Sequence, residues 1–417
     1  MMVHIPRWQI VLILGVLLIG VVFAAPNLFK RETTEGLPSW IPSEQVNLGL
    51  DLQGGSYLLL EVDLETVFRE QLENLVDGIR LGLRRARLGY TDLGADGDRV
   101  VFRLRDPDTV QQARQIVGEA ADDIRIEVSE DGAFRIEFTE AALQQRRSNV
   151  VEQSIEIVRR RIDETGTREP SIQRQGEERI LVQLPGVRDP ERIKRLLGKT
   201  AKLTFRFVDE TALPEAGRIP AGTEILPSQE LDPLGNPRRY VVKKRVMVSG
   251  ETLTDARETF QDGQPVVSFS FDAVGAKRFA DATRQNVGRL FAIVLDGTVI
   301  SAPVIREPIL GGRGIISGNF TIQETSDLAL LLRAGALPAP LTVLEERTVG
   351  PGLGADSIRA GKIASVLGLV FVIVFMGVSY GLFGLMANVA LIVNLILILG
   401  VLSGLQASFL LLRRRSG

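Results

Sequence analysis

Two long uncharged apolar stretches bracket about three hundred residues that have to fold in water. Trp8–Ala25 contains no charged residue, and neither does Ile363–Leu412. About 18 helical residues span roughly 27 Å, close to the hydrocarbon thickness of a bilayer. The first stretch therefore suffices for one crossing, and the second, broken near Ser379-Tyr380-Gly381, for two. Crossings are expected at 7–25, 361–381 and 384–406. Arg7 followed by an apolar run also fits a cleaved signal with Val22-Phe23-Ala24 as the cleavage site. The length of the run and an interfacial Trp8 favour a retained anchor. Either way, the polar region that follows lies outside the cytoplasm.

Composition removes most chemistries. The net charge of −2 and the lack of a dense basic patch give no case for nucleic acid. Cysteine is absent, so there is no disulfide framework, thiolate metal site or cysteine nucleophile. The single histidine, His4, precedes the first apolar run, which excludes histidine catalysis and histidine-ligated metal from the water-soluble part. No carboxylate pair stands out as an acid–base couple. The reading is a non-enzyme without metal or cofactor.

From residue 57 onward helical and strand periods alternate. Strands are expected at Tyr57–Val62, Val100–Leu104, Ile124–Val128, Ala133–Phe138, Ile180–Leu184 and Lys202–Val208. Helices are expected at Leu64–Arg87, Asp108–Ala121 with Asp108 as cap, Thr139–Thr165, and from the Asp189-Pro190 cap to Gly198. Val151, Ile155, Val158 and Ile162 share one face of the third. Gly166 stands just past its end, a C′ position. Asp131-Gly132 and Asp296-Gly297 each read as a two-residue hairpin turn. Such interleaving predicts an α+β fold of ferredoxin-like, split βαβ modules. After Asp209 the texture changes. Leu213–Arg239, rich in Pro, Gly and Glu, reads as a long loop. It is followed by a strand at Arg239–Val248, a short helix near Leu253–Phe260, a strand at Val266–Phe271 and a helix capped by Asp272. Strands then flank Asp296-Gly297, and Thr321 and Glu324 have capping-box spacing. The expected division is 46–210, 211–325 and 326–349, the second moving relative to the first, with an atypical tail at 407–417.

Just after the first apolar run the chain reads Leu48-Gly49-Leu50-Asp51-Leu52-Gln53-Gly54-Gly55. Paired glycines suit a backbone needing positive φ or close approach. A lone Asp among leucines needs backbone donors or a cation. This segment, at the exit of a first membrane helix, closely resembles the opening motif of the SecD family of bacterial export-pathway membrane proteins. Val158-Arg159-Arg160-Arg161-Ile162-Asp163 followed by Gly166 resembles a second signature of that family, and so does Leu184-Pro185-Gly186-Val187. Leu295-Asp296-Gly297-Thr298-Val299-Ile300-Ser301-Ala302-Pro303 resembles its periplasmic head segment. Leu332-Arg333-Ala334-Gly335-Ala336-Leu337-Pro338 and Glu345–Pro351 resemble the approach to its second membrane helix. Taken one at a time, the arginine run reads as a solvated helix face and the Asp296-Gly297 segment as a plain hairpin.

The resemblance implies a bacterial inner-membrane, multi-pass protein of the resistance-nodulation-division superfamily, with a periplasmic base and a mobile head. It implies SecF, the SecYEG channel, the SecA motor and unfolded polypeptide in transit as partners, besides membrane lipid, with proton flow driving late translocation. Gly49, Asp51, Gln53, Gly54, Gly55, Arg160, Asp163, Gly166, Pro185, Gly186, Asp296, Gly297, Gly335 and Pro338 are then its motif residues, structural in role. Asp51 is expected to accept backbone N–H groups or an arginine. The family normally has six membrane helices, one bearing an aspartate for the proton path. Here no acid follows Asp356 and the sequence ends on Arg413-Arg414-Arg415-Ser416-Gly417. Those arginines would face outward, against the positive-inside bias, and a truncation or frameshift is the expected explanation. The alternatives are a superfamily transporter or accessory protein for small molecules, and an anchored enzyme.

Overall fold

The computed structural model describes residues 6–28, 54–121, 123–167, 170–187, 189–212, 220–231, 235–349 and 351–415. It divides into a unit of residues 55–348 and a second unit made by the two flanking segments. The chain opens with helix α1 (Arg7–Ala24), started by Pro6 and uncharged after its first residue.

Among the described residues the larger unit has three main cores, with a smaller fourth cluster of Tyr240, Val242, Ala292, Val294 and Val299. Strand β1 (Gly55–Val62) leads into α2 (Leu64–Arg85), whose N-cap, Asp63, takes the Thr66 N–H at 3.1 Å and its hydroxyl at 2.6 Å. Strands β2 (Tyr90–Asp96) and β3 (Arg99–Leu104), helix α3 (Val110–Ala120) and strands β4 (Ile124–Val128) and β5 (Ala133–Phe138) follow. They form a sheet in the order β2-β3-β5-β4. After it come α4 (Glu140–Glu164), β6 (Ser171–Gln175), β7 (Arg179–Pro185) and α5 (Pro190–Gly198). With β17 (Leu341–Val349), these strands make a second sheet in the order β17-β1-β7-β6.

Alternation along β1 and β7 turns Leu58, Leu60, Ile180, Val182 and Leu184 inward against Val151, Val158 and Ile162 of α4, the first core. The β2–β5 sheet packs on α3 and the second half of α2, with Phe102 and Phe134 stacked at 4.6 Å, to form the second core. Helix α2 thus feeds Leu64 and Val67 to one core and Leu72, Val76, Ile79 and Leu83 to the other.

The third core lies further on. Strands β8 (Leu203–Phe207), β9 (Thr223–Leu231), β10 (Pro237–Lys243) and β11 (Val248–Ser249) join β14 (Phe291–Leu295) and β15 (Thr298–Ser301) in the order β10-β9-β15-β14-β8-β11. A smaller sheet runs β12-β13-β16, from β12 (Leu253–Gln261), β13 (Gln264–Phe271) and β16 (Arg313–Ile316). Helices α6 (Ala273–Gln285) and α7 (Ile322–Ala334) complete it, α7 starting with the expected reciprocal bonds between Thr321 and Glu324. Phe205 sits at its centre, 5.5 to 5.8 Å from the rings of Phe269, Phe271, Phe279 and Phe291.

Several expectations need correction. Leu253–Phe260 is a strand, not a helix. Its apolar residues at 253, 256 and 260 imitate a helical face, but pairing with β13 decides the outcome and only Ala256 is buried. The expected loop at 213–239 contains β9, paired with β10. Strand β8 pairs with β14, so Lys202–Val208 joins the third core, not the first. Asp106, not Asp108, accepts the capping bond at the turn before α3. Asp296 and Gly297 both take positive φ, as a type I′ turn requires, whereas at Asp131-Gly132 only the glycine does. There Gly132 N–H donates to the Ser129 carbonyl and Ser129 N–H to that of Ala133, a wider turn.

In the flanking unit, α1 meets α8 (Pro351–Arg415), which leaves helical geometry at Gly381 with φ 55° and ψ −126°. Asn388 Nδ2 donates to the Ile373 carbonyl at 3.0 Å across fifteen residues, which would lie about 22 Å apart on a straight helix. The segment therefore folds back at Gly381. Gly400 approaches α1 so closely that a Cβ there would lie 2.6 Å from the Gly20 carbonyl oxygen. Asn27 Nδ2 reaches Ser403 Oγ at 2.7 Å. Arg7–Asn27 and Ile358–Ser403 are long and apolar enough to cross a membrane.

Candidate functional site at the chain crossings

The chain passes between the first and third cores twice, outward through Lys199–Lys202 and back through Gly335–Pro340. Helix α5 sits between them, with Ile193 and Leu197 in the first core and Leu196 in the third. Both crossings meet on one side chain. Val151, Ser154, Val158 and Ile162 mark the buried face of α4, and Arg161 belongs to that face, fully buried. Its Nη1 donates to the carbonyls of Leu196, at 2.7 Å, and Lys199. Its Nη2 donates to those of Thr200, at 3.0 Å, and Gly335, at 3.1 Å.

The first two carbonyls end α5, where the helix dipole is negative, so a cation is favoured there. Backbone dipoles, not a carboxylate in direct contact, thus surround the charge. Burial pushes the Arg161 pKa down to about 10 and the Asp296 charge works against that shift, so the group is a cation at neutral pH. Nε–H has no acceptor among the described residues, an added cost of placing the group here.

Asp296 holds the opposite side of the outward crossing. The hairpin turn places its carboxylate against the N–H groups of Ala201, at 2.9 Å, and Lys202, at 2.8 Å, and against the Thr200 hydroxyl. Carbonyls of this short segment therefore face an arginine and its amides face an aspartate. Ala201 is held at φ 60°, unusual for a residue with a Cβ. The return crossing is tied in by Leu337 N–H, which donates to the Thr200 carbonyl at 2.8 Å. Three ion pairs lie around this centre: Arg333–Glu164 at 2.7 Å, Arg192–Asp327 at 2.7 Å and Lys202–Glu70 at 2.9 Å. A cleft of about 740 Å³ opens beside it, lined by Glu70, Glu156, Arg160, Lys202, Asp296 and Pro338 among others.

A second concavity, about 930 Å³, lies in the third core. Phe205, Phe269, Phe279 and Phe291 line it, with Arg257 and Arg313 among its polar residues. Apolar lining with a few charged groups suits a ligand that buries hydrophobic parts.

Of the motif residues, Asp296, Gly297, Gly335 and Pro338 converge at the crossings, Gly335 at φ 94°. Gly166 and Gly186 serve turns at φ 74° and 66°, and Pro185 ends β7. Arg160 is exposed and pairs with Glu156 at 3.3 Å, and Asp163 is also exposed. Gly54 and Gly55 have φ of 73° and 140° where the chain enters β1. Gly49, Asp51 and Gln53 lie outside the described residues. The residue missed by sequence reasoning is Arg161. It stands three residues after Val158 and one before Ile162, the spacing of the buried face.

Comparison with known proteins bears on the same segments. Residues 40–63 match the family model of the SecD/SecF GG motif, 151–210 that of the N-terminal part of the SecDF P1 domain, and 223–339 that of the SecDF P1 head subdomain. The chain is 43% identical over 414 residues to the protein translocase subunit SecD of Rickettsia bellii, covering 98% of this chain and 78% of that one. It is 44% identical over 422 residues to the SecD of Acetobacter pasteurianus, covering 99% and 79%. A crystal structure of SecDF in a super-membrane-facing form aligns over 96% of this chain and 43% of its own, with 30% identity and a TM-score of 0.46. On the strength of these sequence matches, the chain belongs to the SecD family of protein translocase subunits.

Proposed function

We propose that this subunit of the protein-translocation machinery holds emerging polypeptide in the cavity of the third core and moves that region about the two crossings. The observation carrying this reading is the apolar cavity lined, apart from Phe205, by the segment matching the SecDF P1 head. An unfolded chain presents apolar side chains and unpaired backbone together, and the phenylalanine lining beside charged and hydroxyl groups offers partners for both. Relatives are named as SecD, not as small-molecule transporters, so the transporter alternative is not favoured.

Residues 46–198 and 341–349 form a base and 203–334 a head, joined by the two crossings, because β8 and α7 pack in the third core. The order β17-β1-β7-β6, with α4 between β1 and β6 and α5 between β7 and β17, supports a ferredoxin-like base. The fold-back at Gly381 supports three crossings, at 7–25, 361–381 and 384–406. The larger unit then faces the periplasm from an inner membrane. SecF, SecYEG and SecA are the partners, and the proton-motive force drives the late step. For Asp51 the reading is a structural role, its carboxylate accepting backbone N–H groups or meeting an arginine. Crosslinking in intact membranes tests the assignment. Recovery of SecF or SecYEG is expected, and recovery of outer-membrane efflux components alone would overturn it.

A further inference from the structure

We infer that Arg161 is a positioning residue for translocation, the pivot on which the third-core region turns while the ion pairs around it exchange. This rests on the reading that the region moves. Two classes of contact link the first and third cores at the crossings, and they differ in kind. The Arg161 guanidinium is buried and bonded to four carbonyls, one in the last turn of α5, two on the outward crossing and one on the return. A rotation that pulled it away would strand four acceptors and a cation, so the motion that keeps it in place is favoured.

The surrounding ion pairs are at least a fifth exposed on both sides. The side-chain exposures are 33% and 37% for Arg333–Glu164, 30% and 21% for Arg192–Asp327, and 60% and 55% for Lys202–Glu70. Water can replace such partners, and salt screens them. They also stand on different elements: α7 against α4, α7 against α5, and the end of the outward crossing against α2. Turning about Arg161 would open them first, since they are the exposed contacts. Held together by Arg161 and by the Leu337–Thr200 bond, the two crossings act as one axis instead of two independent tethers. Asp296 is carried by the β14–β15 hairpin and grips the same axis from the other side.

The chain has no cysteine, so a single engineered pair can be spin-labelled specifically. Gln173→Cys on β6 and Lys277→Cys on α6 place exposed labels on either side of the crossings. Pulsed dipolar distances are read in the full chain in membranes, beside export of a secretory precursor. Two distance populations are expected in the parent protein. Glu164→Gln with Asp327→Asn shifts their ratio by roughly threefold without moving either peak, and about 0.5 M salt acts the same way. Arg161→Met moves and broadens both peaks and lowers export. Arg161→Lys, with three donors on one atom, reaches one crossing but not both and gives intermediate broadening. Peaks and export unchanged in Arg161→Lys would overturn the pivot even if Arg161→Met does not fold. A single invariant distance in the parent protein would refute the motion itself, and the pivot with it.

Discussion

Arg160 and Arg161 are neighbours in sequence with opposite surroundings, and replacing each by methionine separates a buried clamp from a surface pair. Arg161→Met substitutes a shorter apolar side chain and removes five N–H donors, through which four hydrogen bonds are made. At about 1.5 kcal/mol for each bond to the charged group, the loss is roughly 6 kcal/mol. Relief from burying a cation, which is worth several kcal/mol, offsets part of it. A net destabilisation of about 2–4 kcal/mol is expected, centred on the crossings. Arg160→Met breaks one exposed pair with Glu156 and should change stability by under about 0.5 kcal/mol. Amide hydrogen exchange reads the difference locally. The N–H groups of Ala201, Lys202 and Leu337 bond across the crossings. In Arg161→Met their protection should fall roughly thirty- to a thousandfold, the free-energy range above converted to rates. In Arg160→Met it should stay within about threefold. Equal effects for the two substitutions, or full protection in Arg161→Met, would refute the clamp.

Other expectations follow from the same contacts. The Thr66 hydroxyl and N–H hold the Asp63 carboxyl below its usual pKa, so its contribution is complete above the unfolded value near pH 4 and fades as pH falls through the folded value. Acid melting curves should show Asp63→Asn with a shallower loss of stability in that window than the parent protein. Gly275→Ala would put a Cβ 2.7 Å from Thr252 Cβ and 3.1 Å from Phe271 Cβ, and overpacking should cost about 1–3 kcal/mol, read as a lower denaturant midpoint. Phe205→Ala removes the ring at the centre of the third core and should cost about 3–5 kcal/mol in the same assay.

Local chemistry was legible wherever a short segment decides its own conformation. The Asp296-Gly297 turn, the Thr321 capping box and the Asp189-Pro190 helix start depend on side chains within a few residues, and all three stand as read. What depended on distant partners was not legible. Leu253–Phe260 becomes a strand because β13 pairs with it, and β8 leaves the first core because β14 does. The candidate site shows both sides. Asp296, Gly297, Gly335 and Pro338 stood out as motif residues, but nothing local brings them together. Arg161 was passed over because an arginine run suggests a solvated face. The period through Val151, Ser154, Val158 and Ile162 puts it with the buried residues, but the carbonyls that accept it come from segments 35 to 174 residues away.

Polypeptide in transit is proposed to occupy the cavity of the third core. The most direct test places a photoreactive side chain at Ile309, which lines that cavity, and separately at exposed Arg239 on β10. Membranes carrying a precursor arrested in mid-export are then irradiated. A crosslink from position 309 to the arrested precursor is expected, lost when the precursor is released, with little from position 239. Equal crosslinking from both positions, or none from 309 while export proceeds, would contradict that occupancy.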